Sequence, residues 1–68
     1  MKINYFEDTD TALIEFTSEQ IAETREVSEN IYLDLDENEN LVSMTIEHAV
    51  EYANIRDFAF VHQPKVGV

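Results

Sequence analysis
Sixty-eight residues, no cysteine, and 15 acidic against four basic side chains give a formal net charge of −11. That charge disfavours nucleic acid and anionic membrane surfaces as partners of this chain alone, and the missing thiols exclude disulfides and thiolate zinc sites. A chain this short buries only about 60% of its unfolded surface, yet with 44% apolar residues it reads as one folded domain and not as an acidic tail.

Residues 2–6 form a short β-prone run, and the turn-rich Glu7-Asp8-Thr9-Asp10 follows. From Thr11 to Thr17, Ala12, Ile14 and Phe16 alternate with Thr11, Leu13, Glu15 and Thr17, the period of a strand with one wet face. The two runs predict a first hairpin with an acidic loop. Leu13 breaks the polar face, as a small cluster beneath the C-terminal segment or as part of a partner surface. Ser18-Glu19-Gln20-Ile21 has the composition to cap a single helical turn, and Glu23-Thr24-Arg25-Glu26-Val27 reads as a short strand.

Residues 30–46 organise the rest. Ile31, Leu33 and Leu35 alternate with Tyr32, Asp34 and Asp36; after a polar break, Val42, Met44 and Ile46 alternate with Ser43, Thr45 and Glu47. This is a second hairpin, with Asn40 the residue best suited to positive φ at its turn. Residues 47–55 change period to a short helix, with Ala49, Val50 and Ala53 on one side and Asn54 as its stop. Phe58, Phe60 and Val61 then either complete the monomer's core or form an arm that packs on another subunit, and the tail frays from about residue 64. The expected fold is α+β: a small antiparallel meander of four or five strands with one short C-terminal helix packed on the sheet. Its expected core is Ile3, Tyr5, Ala12, Ile14, Phe16, Val27, Ile31, Leu33, Leu35, Val42, Met44, Ile46 and Ala53.

The order of these pieces resembles the short bacterial proteins of the family called domain of unknown function 2283. The resemblance rests on Lys2-Ile3-Asn4-Tyr5, on Asp10-Thr11-Ala12-Leu13-Ile14-Glu15-Phe16, on an intact Glu23-Thr24-Arg25-Glu26-Val27, on residues 31–36, and on Ser43-Met44-Thr45-Ile46 with Ala49. The chain departs from the family pattern at Asn40, where the hairpin glycine usually stands, and at Ser43 and Thr45; residues 54–68 lie outside the resemblance as a C-terminal extension of the family-like residues 1–53. The resemblance implies a small antiparallel sheet with a helical element, no assigned activity, and an antitoxin-like or partner-binding role.

Chemistry-bearing constellations are few. Asp34, Asp36 and Asn38 begin like a calcium loop, but Glu39 stands where the sharp turn needs glycine and Thr45 where a bidentate acid belongs. Glu23, Arg25 and Glu26 read as an ion pair on an edge strand or as a partner contact, with Glu23 and Arg25 sharing a face. His48 and His62 have no serine or cysteine partner at a catalytic spacing, and the only glycine, Gly67, excludes a phosphate loop. The expectation is a non-enzymatic protein–protein interaction module without cofactor, cytoplasmic, docking on a basic partner. The alternative is a small-ligand or divalent-cation binder through residues 34–39. With no disulfide or metal to support so small a core, a homodimer is also expected. It would be held partly by residues 52–61, which lie in the least acidic part of the chain. The candidate partner-binding residues are Glu23, Arg25, Glu26, Tyr52, Phe58 and Phe60.

Overall fold
A computed structural model describes residues 1–67. Five antiparallel strands, β1 (Lys2–Phe6), β2 (Thr11–Glu15), β3 (Glu23–Ser28), β4 (Ile31–Leu35) and β5 (Leu41–Glu47), precede one short helix, α1 (Ala49–Ala53). The expected α+β sheet with a C-terminal helix is therefore present. The strand order is β1-β2-β5-β4-β3. A first hairpin and a three-stranded meander are thus joined through the β2–β5 pair, and residues 16–22 carry the chain from the middle of the sheet to its far edge. This connection holds no helical turn at residues 18–21. It is tied down by its backbone: Phe16 N and Thr17 N donate to Val42 O (2.8 and 3.2 Å), and Ala22 N donates to Leu35 O (2.8 Å).

Directly opposed residues in an antiparallel ladder share a face, so the register sorts the side chains. One face carries the row Tyr5, Ala12, Ile46, Ile31 and the row Ile3, Ile14, Met44, Leu33, Arg25. The other carries Lys2, Glu15, Ser43, Asp34, Thr24 and the row Asn4, Leu13, Thr45, Tyr32, Glu26. The alternation that predicted the strands is the alternation that separates these faces.

α1 lies against the apolar face, where Ala12, Ile46 and Ala49 form a buried cluster with Tyr5, Ile14, Met44 and Ile55 packed around it. Two alanines at the contact let the helix backbone come close to the sheet. Asp10 fastens the junction. Its carbonyl accepts Ala49 N (2.9 Å), while its carboxylate accepts the Tyr5 hydroxyl (2.7 Å) and Val50 N (3.1 Å). Asp10 itself has φ 52°, a left-handed conformation that short polar side chains tolerate best.

Three further expectations need correction, and one open alternative closes. Val27 is not in the core but 59% exposed, because the register of β3 shifts between Glu26 and Ser28 and the bulged residue has no cross-strand partner. Ala53 is exposed as well; the helix begins at Ala49 and not at residue 47, and Ala49 is its buried residue. The positive φ of the second hairpin falls on Glu39 (φ 63°), not on Asn40. Glu39 N donates to Asp36 O and Asp36 N to Asn40 O, the three-residue hairpin loop whose last residue is left-handed. Phe58 and Phe60 do not complete the monomer's core, being 62% and 79% exposed. Asn54 does stop the helix, in a left-handed conformation (φ 46°).

Two outcomes test this account. A glutamate at a left-handed position is strained by roughly 1–2 kcal/mol, and its exposed pairing with Arg25 recovers only part of that. Glu39→Asn should accordingly raise stability by about 0.5–1 kcal/mol, a gain on the order of 3–6 °C in Tm by calorimetry; a fall would show that the ion pair outweighs the strain.

The second outcome concerns pH. The Tyr5 hydroxyl, then the Val50 amide, hold the Asp10 carboxyl below the usual carboxylate range, so its contribution is complete above that range and is lost as pH falls through the folded value. The Asp10 bond also raises Tyr5 above its ordinary value of 10.0, so on the alkaline side stability is complete below that value and is lost as pH rises through the folded one. The Tm gap between wild type and Asp10→Asn should be widest near neutrality and close as pH falls below the usual carboxylate range. A gap independent of pH would sink this role for Asp10.

Candidate functional site
The polar face is an ordered surface. Ser43, buried in the central strand, donates to Asp34 Oδ2 at 2.6 Å, and Thr24 donates to Asp34 Oδ1 at 2.6 Å, so one carboxylate ties β3, β4 and β5 together. At the other edge Asn4 Nδ2 donates to Glu15 Oε2 at 2.8 Å. Continuing the row of Asn4, beside the row of Asp34, stand Leu13, Thr45 and Tyr32. They are half-buried, and they place an aliphatic and an aromatic side chain within a polar surface. Leu13 therefore does not lie beneath α1, which packs on the opposite face through Ala49.

The charge around Tyr32 is one-sided. Glu47 above all, then burial, then Glu26 and Glu29 raise its hydroxyl above the ordinary tyrosine value. An aromatic ring framed by three carboxylates is chemically suited to a guanidinium or ammonium group: the ring offers its π face and the carboxylates accept charged hydrogen bonds. Sequence reading passed over Tyr32, taking it only as the wet-face residue of a strand. The signal available was its place between Glu26 and Glu47, which becomes visible only once β3 and β5 flank β4.

The sequence-selected residues divide among three places. Glu23 and Arg25 share a face on β3, and Arg25 Nε donates to Glu23 Oε1 at 2.8 Å; Glu39 from the β4–β5 turn completes a cluster. Arg25 holds the Glu23 carboxyl low, and Glu23 first, then Glu39, raise the guanidinium further. Glu26 faces the other way, beside Tyr32. Tyr52 stands exposed on α1 with its ring edge-on to His48, centroids 6.3 Å apart, and His48 Nδ1 lies 3.0 Å from Asn30 Oδ1. Phe58 and Phe60 are in the exposed C-terminal segment.

The suggested cation loop is occupied by its own hydrogen bonds. Asp36 Oδ1 accepts Asn38 N and Asn40 N, both at 2.9 Å, which closes the turn, while Asp34 is held by Ser43 and Thr24 as described. Among the described residues no group of three or more histidine, cysteine or acidic side chains stands together as a metal site would require. No helix among them is long and apolar enough to cross a membrane.

No curated protein and no solved structure matches the chain. The sequence profile of the family described as Protein of unknown function (DUF2283) matches residues 2–49. This stretch contains all five strands and the first residue of α1, and it ends before the exposed segment with Phe58 and Phe60. By that match over most of its length, the chain belongs to the DUF2283 family.

Proposed function
We infer that this chain is a non-enzymatic protein–protein interaction module that docks on a basic partner, in an antitoxin-like manner. The observation that carries this reading is the Tyr32 surface: Tyr32 and Leu13 on the ordered face of a rigid sheet, within the field of Glu47, Glu26 and Glu29. Aromatic anchors with a charged surround are the residues on which interface energy concentrates. The wider charge supports the same direction, since the ion pairs among the described residues both belong to Arg25 and the charge of the other carboxylates is left uncompensated to steer a cationic partner. A reaction, by contrast, needs polar groups converging in a concave pocket, whereas a cleft at the sheet margin such as that between residues 19–22 and 36–38 is open and lined by carboxylates and amides. The cation-binding alternative has less behind it, because the carboxylates of Asp34 and Asp36 already accept hydrogen bonds from the chain's own donors.

The test is affinity capture with the full chain from a bacterial cytoplasm, followed by calorimetry on the purified partner. The expected partner is basic, and its affinity should fall steeply between about 0.1 and 0.5 M salt. Tyr32→Ala should weaken it about tenfold or more, and Glu26→Gln/Glu47→Gln should flatten the salt dependence, while Arg25→Ala on the opposite face leaves it unchanged. Binding indifferent to both salt and Tyr32→Ala would overturn the reading, as would a saturable turnover.

A further inference from the structure
The apolar face is only partly covered. Beyond the Ala12, Ile46, Ala49 cluster, the row Ile3, Ile14, Met44, Leu33 is half-exposed, and among the described residues no large side chain is fully buried. The C-terminal segment does not lie over it: residues 56–67 are exposed throughout, including Phe58, Phe60, Val61 and Val66. The chain consequently has a radius of gyration of 14.2 Å, against roughly 11 Å for a compact domain of this length. Its accessible surface is 5562 Å², against about 4,400 Å² for a folded monomer of its mass. The surplus, on the order of 1,100 Å², exceeds the roughly 800 Å² per partner that a standard interface removes.

We propose that residues 56–67 of one copy lie across the Ile3, Ile14, Met44, Leu33 row of a second copy, reciprocally, in a two-fold symmetric dimer. The arm has the reach: twelve extended residues span about 40 Å, whereas five strands are roughly 19 Å across. It has matching chemistry, with aromatic and branched side chains for an apolar face. Its charge also fits, since residues 54–68 carry Arg56 and Lys65 against Asp57, while residues 1–53 carry 14 acids and two bases. Two bodies of that charge repel each other, and an arm of opposite sign is the part of the chain that can approach a second body without that cost. Arg25, at the end of the same row, lies at the margin of the contact with Glu23 and Glu39, where their charges stay in water. The contact uses the face opposite Tyr32 and stands independently of the partner reading.

Light scattering and sedimentation on the full chain should give twice the mass of the 7.9 kDa chain. The arm variant Phe58→Ser/Phe60→Ser and the face variant Leu33→Gln/Met44→Gln should each be monomeric where wild type is dimeric. An equimolar mixture of the two should recover dimers, because one intact arm then meets one intact face. Should the face variant fail to fold, a spin label on His62→Cys in one copy, mixed with isotope-labelled wild-type chain, should broaden the methyl signals of Ile14, Leu33 and Met44 in the other copy. A monomeric wild-type chain, a label that leaves the isotope-labelled copy's methyl signals unbroadened, or a dimer that the arm variant leaves intact would each overturn the proposal. Partner binding retained in any of these cases would confine the failure to the dimer.

Discussion
The pairing of β2 with β5 is the contact on which the rest of the structure depends. It joins a local hairpin, β1–β2, to a local meander, β3–β4–β5, across some thirty residues, and neither unit alone has a second layer to bury its apolar face. The pair also sets Ala12 beside Ile46, and that small-residue site is where Ala49 brings the helix down. Asp10 then acts as a clasp from the first turn, accepting from the helix start through both carbonyl and carboxylate. Lose the β2–β5 register and the helix has no seat.

The two faces built by this pairing are held by different physics. On the polar face, specificity comes from hydrogen bonds: each oxygen of Asp34 accepts one bond, from Thr24 and from Ser43, and Glu15 accepts one from Asn4. Such a surface is rigid, and it gives Tyr32 and Leu13 fixed positions within a negative field. The apolar face is held by non-directional burial, and the single short helix covers one end of it. Small domains without disulfides or metals meet this shortage of coverage generally; here it coincides with a C-terminal segment that has apolar side chains and no place of its own.

One edge of the sheet is blunted in a way that bears on solubility. β3 is an outer strand carrying Glu23, Arg25 and Glu26, and its bulge at Val27 interrupts the row of free backbone groups. Charges and a bulge on an edge strand discourage uncontrolled strand addition.

The sequence by itself determined the elements. Period-two alternation at residues 11–17, 31–36 and 42–47 is a local property of each strand, and Asn54 is a stop because its short amide tolerates a left-handed backbone whatever surrounds it. What the tertiary structure decided is everything that depends on which strands meet. The β2–β5 pairing, and with it the order β1-β2-β5-β4-β3, is chosen by contacts between distant residues, none of which alternation encodes. Val27 looked apolar and periodic, but the bulge removed its partner; Glu39, not Asn40, took the left-handed position because a three-residue loop puts that conformation at its last residue. The acidic frame of Tyr32 exists only once Glu26 and Glu47 arrive from the strands on either side. Phe58 and Phe60 were open between core and arm for the same reason: an apolar side chain records that it needs cover, and only the folded sheet shows that its own chain does not supply it.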